Sequence, residues 1–395
     1  MTNQIVKQAS ESEFNAIEQI FFKISHDRLE EVSAMLKELA STSQELPQEW
    51  ILKIVNTLDT GNWDLLSNGF IHQEFVGQNG YFLMIAPYTV RRECSQITKL
   101  TGIFGRVIPI PYPSMDKLEH IICQGIGELH QKIPLILSYE KIAACGNVGS
   151  EHGEAFVVAN NWNFIDSFKG PSLIDITEQG RRFFDSGKEC IRRIFEPNTA
   201  KLLLSALEGN KVTSTYNRHL EYQLHDAGHA TGLGIDRKIQ EKLFSSYWFA
   251  SVEEWRADGV EFYLAVNSLS TEEAAKVVAV NLCVRLALDA HRRGGMDKDG
   301  DVCASLLTFD RLLESGKIKI DNGCLSLCNL SYKSLLEAIE PHQLEAVNLT
   351  RRELDLDYPT GLFRLYGSLK CSKTAEKLFQ WLVVERCQKV YSVLR

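Results

Sequence analysis

Long hydrophobic runs are missing from this chain. No stretch of its 395 residues approaches the roughly 18 consecutive apolar residues of a membrane-spanning helix. The opening "MTNQIVKQASESEFNAIEQIFFKI" has no basic segment followed by an apolar core, so a cytoplasmic protein is expected. An excess of basic charge is also lacking. The formal net charge is −8 and no basic stripe interrupts it, which argues against nucleic acids or anionic membranes as partners. Ten cysteines are present without the spacing of a disulfide framework, and many lie in apolar periodic segments, as reduced core thiols do. Only Cys324 and Cys328 are close, in a C-x3-C spacing with no nearby histidine, and two packed thiols are expected there rather than zinc. "DKDGD" (297–301) opens like a calcium loop but has Val302 where the turn needs glycine and Thr308 where a bidentate glutamate belongs; an exposed turn is expected.

What remains is an ordinary globular composition, 44% hydrophobic and 24% charged, with length for roughly two or three domains. Residues 11 to about 60 carry helical periodicity, with Phe14, Ile17, Ile20 and Phe21 on one face and Val32, Met35, Leu36 and Leu39 on another. Strand-like runs follow at 81–87, 106–112, 133–139 and 154–168, with a helical segment at 114–129. Pro109, Pro111 and Pro134 place their strands at an edge or at strand ends, because proline cannot donate to a ladder. Beyond "FKGPS" (168–172) helical periods dominate until "KIKI" (317–320), and a last helix is expected from about 372 to 394. The expected fold is α+β: a mixed α/β domain over 1–195, then a mainly helical domain over 196–395.

The helical part contains "LHDAGHATGLG" (224–234). On a helix, His225 and His229 lie one turn apart on the same face and can aim both imidazoles at one point. This is the geometry of an H-E-x-x-H zinc helix, with Asp226 in place of the glutamate. The glycines that follow form no phosphate fingerprint, since no strand precedes them, and are expected to end or kink the helix. A zinc site needs a third protein ligand. "SVEEWRADGVEFYLA" (251–265) offers Glu254, Asp258 and Glu261 at i, i+4 and i+7, and Glu254 is the best candidate. The same residues admit a plainer assignment. Ser251-x-x-Glu254 is a capping-box pattern, and the acids at 258 and 261 then become a solvated face.

Together, "HDAGH" and "EEWRAD" followed by "EFYL" resemble the two zinc motifs of dipeptidyl peptidase III, and the resemblance continues through "NLCVRLALDAH" (281–291) and "ASLLTFDRLLESG" (304–316). It covers about residues 220–320. It implies that the helical domain over 196–395 is a zincin-like metal-binding domain, and a peptidase in which His225, His229 and Glu254 bind zinc, while Asp258 orients a ligand histidine. The chain departs from the family in a first motif one residue shorter, in Asp226 at the catalytic glutamate, and in lacking a histidine near 298–304.

The expected function is a metal-dependent hydrolase, in which Zn²⁺ activates a bound water, Asp226 accepts its proton, and a peptide or other amide-like small molecule is cleaved. Two histidines and a carboxylate with open positions also suit Fe²⁺ and oxygen chemistry, the alternative to zinc. A phosphohydrolase of the His-Asp type is a third reading, but it needs a histidine on an earlier helix and only His219 stands nearby. A non-catalytic metal-binding protein is the fourth.

Overall fold

The computed structural model describes residues 11–62, 65–66, 74–89, 98–109, 113–130, 132–133, 136–146, 156–157, 172–175, 185–207, 211–232, 247–289, 300–354 and 360–387. The architecture is mixed α/β, with a five-stranded sheet in the N-terminal half and a helical C-terminal region. The chain divides into two compact units. One comprises 1–110 and 135–179, the other 111–134 and 180–395.

The first unit begins with three helices, Glu11–Ser25, Leu29–Thr42 and Gln48–Thr60. Strands β1 (Tyr81–Thr89), β2 (Thr98–Val107), β3 (Ile136–Cys145), β4 (Phe156–Val157) and β5 (Ser172–Asp175) form a sheet in the order β1-β2-β3-β5-β4. β1, β2 and β3 are antiparallel neighbours, and β3 pairs β5 in parallel. The apolar helical faces read from the sequence bury Ile17, Ile20, Phe21, Val32 and Leu36 in one core with Leu83, Ile85 and Phe104 of the sheet. Gly102 permits the close fit, since a Cβ there would lie 2.4 Å from the Phe21 ring. β2 stops at Val107, two residues before Pro109. Pro111, Pro134 and most of the expected 154–168 strand lie outside the described residues.

The second unit buries its own cores. Its first helix, Met115–Gly125, is capped by Ser114, whose hydroxyl accepts from Lys117 N–H. The histidine helix, Lys211–His229, packs against a carboxylate helix, Tyr247–Ser268. The next helix, Thr271–Leu282, continues as a π-helical turn over Cys283–Asp289 and carries Asn281 and Arg285; Gly300–Glu314 and Tyr332–Leu354 pack on the carboxylate helix as well. Val277 and Val280 are buried and Val284 is half-buried, which accounts for the apolar periodicity of that segment. The segment 317–320 forms a small hairpin, Ile318–Asp321 with Cys324–Leu327. At the C-terminus, Lys373–Phe379 leads into a π-helical turn, Gln380–Glu385, and residues 388–395 lie outside the described set. Among the described residues no helix is long and apolar enough to cross a membrane, and the nine described cysteines are free thiols, Cys324 and Cys328 included.

Candidate metal centre

The histidine and carboxylate helices approach at glycine. A Cβ on Gly228 would lie 2.6 Å from the Ala257 carbonyl oxygen, so only glycine allows the two backbones this close. The helix ends at His229, and Gly232, three residues on, takes a left-handed φ of +88°. Gly228 lies inside the helix, where it sets the packing distance. Gly234 lies outside the described residues.

Both imidazoles are held from behind. His225 Nδ1 lies 2.9 Å from Asp258 Oδ1, and His229 Nδ1 lies 3.1 Å from Glu253 Oε1. Because a carboxylate can only accept, each Nδ1 carries a proton, and each Nε2 presents a lone pair once its imidazole is neutral. Those two Nε2 atoms face each other at 3.0 Å. Glu254 closes the triangle, with Oε2 3.4 Å from His225 Nε2 and Oε1 3.7 Å from His229 Nε2. Donors around a tetrahedral zinc at about 2.0–2.1 Å stand roughly 3.3 Å apart. The separations bracket that value, with Glu254 measured through both of its oxygens, and the site is one that a cation, or protons on the imidazoles, can fill. His225, His229 and Glu254 thus fit a divalent metal.

The capping alternative for Glu254 fails. Its helix starts at Tyr247, a full turn before Ser251, which is buried in the helix interior. A capping box does form one helix later, where Ser270 and Glu273 bond each other's backbone N–H groups. The solvated-face reading of the acidic stripe fails too, since Asp258 and Glu261 are both 0% exposed. They are answered from the neighbouring helix. Asn281 donates to Asp258 Oδ1 at 3.1 Å and Glu261 Oε2 at 2.9 Å, and Arg285 donates to both Asp258 oxygens at 2.8 and 3.1 Å.

Electrostatics follow from this layout. Burial opposes ionisation of Asp258, but Arg285 and His225 overcome it and hold the carboxyl at about 2. Burial likewise opposes charge on Glu253, yet Arg256 and His229 hold it at about 2. In the metal-free site burial disfavours charged imidazoles, but the surrounding carboxylates prevail: His229 rises to about 9 and His225 well above its ordinary range. Asp226, half-buried beside the pair, is pushed up by burial against the opposing pull of His225 and His229. Its side chain makes no hydrogen bond to another described residue.

Glu253, Arg256, Asn281 and Arg285 were not singled out from sequence. Arg256 grips both Glu253 oxygens at 2.8 and 2.6 Å and reaches Thr231 and Thr350, while Tyr366 Oη donates to Glu253 Oε2 at 3.0 Å. The doubled acid Glu253-Glu254 held the available signal: one carboxylate for the metal position, its neighbour for the histidine behind it. His219 lies on the histidine helix itself, buried, and among the described residues belongs neither to the His225–His229–Glu254 group nor to the other group whose donors converge, His225–Asp258–Glu261. Residues 297–299 of "DKDGD" are outside the described set.

Residues 5–287 match the sequence family described as "Family of unknown function (DUF6014)". The chain belongs to that family. No curated protein matches it in sequence. Among solved structures, this chain shares its fold with dipeptidyl peptidases III. The enzyme from Caldithrix abyssi superposes with a TM-score of 0.63 at 11% identity, over 95% of this chain and 70% of that one. The enzyme from Corallococcus sp. strain EGB gives 0.59 at 11% identity, over 93% and 70%. The likeness spans nearly the whole chain, well beyond the 220–320 window in which the motifs resemble each other.

Proposed function

We propose that this chain is a metal-dependent hydrolase acting on peptide or other amide-like bonds, with zinc held by His225, His229 and Glu254. The observation that carries the reading is the pair of facing Nε2 atoms at 3.0 Å, each imidazole backed by its own carboxylate and Glu254 completing the set. A fold shared with two dipeptidyl peptidases III supports it. When bound, the metal supplies Lewis acidity and lowers the pKa of a coordinated water toward ~7.

The chain's own residues do the rest. Asp258 and Glu253 fix the tautomer and direction of the two imidazoles and raise their basicity as ligands. Asp226 stands beside the ligands without a described hydrogen-bond partner, and in this reading it takes the proton of the attacking water and returns it to the leaving amine. Burial raises its pKa from 3.8, the direction that makes a carboxylate a better base near neutrality.

Metal content of protein purified without added metal tests the proposal, together with cleavage of a panel of dipeptidyl arylamides before and after chelation. The expected result is about one zinc per chain in wild type, lost in His229→Ala, with cleavage abolished by chelator and restored by zinc. Iron with substrate-dependent oxygen uptake overturns the hydrolytic reading in favour of oxygen chemistry. A metal-loaded protein inert to the whole panel leaves a binding role.

A further inference from the structure

The acidic stripe of the carboxylate helix has one cationic partner whose position the metal reading does not require. Arg285 is 7% exposed by its side chain. Its Nε and Nη2 take both oxygens of Asp258, Nη2 also donates to Glu254 Oε2 at 2.9 Å, and Nη1 reaches Asp301 Oδ1 at 3.2 Å. One guanidinium therefore ties the carboxylate facing the two Nε2 atoms to the carboxylate that steers His225. The π-helical turn Cys283–Asp289 carries it; such turns change the direction of side chains relative to the preceding helix and recur at functional sites.

We propose that Arg285 is a positioning residue that confines Glu254 to one-oxygen ligation and so keeps a coordination position open. The inference rests on the metal-site reading above. A carboxylate with both oxygens free can swing to bind a cation through two oxygens and fill the place a water or substrate carbonyl needs. Here one oxygen is engaged in a charge-assisted hydrogen bond from a buried arginine, and the fork geometry of the guanidinium holds the carboxylate plane as well as its charge. Lysine, a point charge on a flexible stem, supplies the charge without the plane.

The test uses full-length protein loaded with Co²⁺, whose visible absorption reports coordination number, with acetohydroxamate as a probe of the open position. Wild type is expected to show the intense bands of a low-coordinate site and to shift on adding acetohydroxamate. In Arg285→Met the bands should weaken and the acetohydroxamate affinity should fall about 10- to 100-fold. Arg285→Lys, which keeps a cation beside Asp258 and so guards against simple misfolding, should fold and give an intermediate spectrum. The proposal is overturned if both variants match wild type in spectrum and probe affinity, or if Arg285→Lys is folded and indistinguishable from wild type. A wild-type protein that takes up no Co²⁺ removes the metal reading itself and this role with it, an outcome distinct from unchanged spectra in a loaded variant.

Discussion

Asp258→Asn is the substitution with the most closely reasoned cost. Asp258 is completely buried and accepts from His225 Nδ1, Asn281 Nδ2, Arg285 Nε and Arg285 Nη2 at 2.8–3.1 Å. Asparagine keeps the shape but replaces one oxygen by an NH₂ group. In either amide orientation that NH₂ confronts a donor, and the negative charge opposite Arg285 is gone. Removing one partner of a buried ion pair typically costs about 3–5 kcal/mol, a large share of a stability that is usually about 5–15 kcal/mol. Loss of the carboxylate behind a ligand histidine adds a second effect, about 10- to 100-fold in metal affinity. Both are measurable on one protein: the denaturant midpoint of the metal-free form, and zinc affinity by chelator competition. A shift below about 1 kcal/mol with unchanged zinc affinity would refute the claim that Asp258 carries charge for both Arg285 and His225.

Other outcomes follow from the same geometry. Asp226→Asn should keep its metal, because all three ligands remain, and lose turnover about 100-fold or more on any substrate the wild type accepts; normal turnover sinks the proton-transfer role. Gly228→Ala drives a Cβ into the Ala257 backbone at 2.6 Å, so it should cost about 1–3 kcal/mol and weaken zinc binding by separating the histidines from Glu254, which melting and chelator competition will show. The metal-free protein should be more stable at mildly acidic than at alkaline pH. His229 is raised from 6.5 to about 9, so its contribution is fully present below 6.5 and fades as pH climbs through about 9; a melting temperature that rises over that interval contradicts the assignment. Zinc has the opposite dependence. It must displace those protons, so its apparent affinity should increase with pH over the same window.

The sequence by itself determined the local features. Helix period placed His225 and His229 on one face, and the i, i+4, i+7 spacing placed Glu254, Asp258 and Glu261 on another, because 3.6 residues per turn is fixed by backbone geometry alone. Apolar periodicity likewise marked the helices of residues 11–60 and the strand from Tyr81. Which acids meet which histidines is a different kind of fact. Ser251-x-x-Glu254 and Ser270-x-x-Glu273 look alike as sequence, and only the helix start at Tyr247 makes the first interior and the second a cap. Asp258 and Glu261 read equally well as a solvated stripe until Asn281 and Arg285, twenty or more residues on, arrive from another helix, Asn281 donating to both and Arg285 pairing with Asp258. Glu253 and Arg256 gain their meaning the same way, from His229 and Tyr366. Burial of charge is decided by partners distant in sequence, because a carboxylate leaves water only where donors have been brought to meet it. That meeting is a property of helix packing, set here by a glycine at 228 that lets two backbones touch.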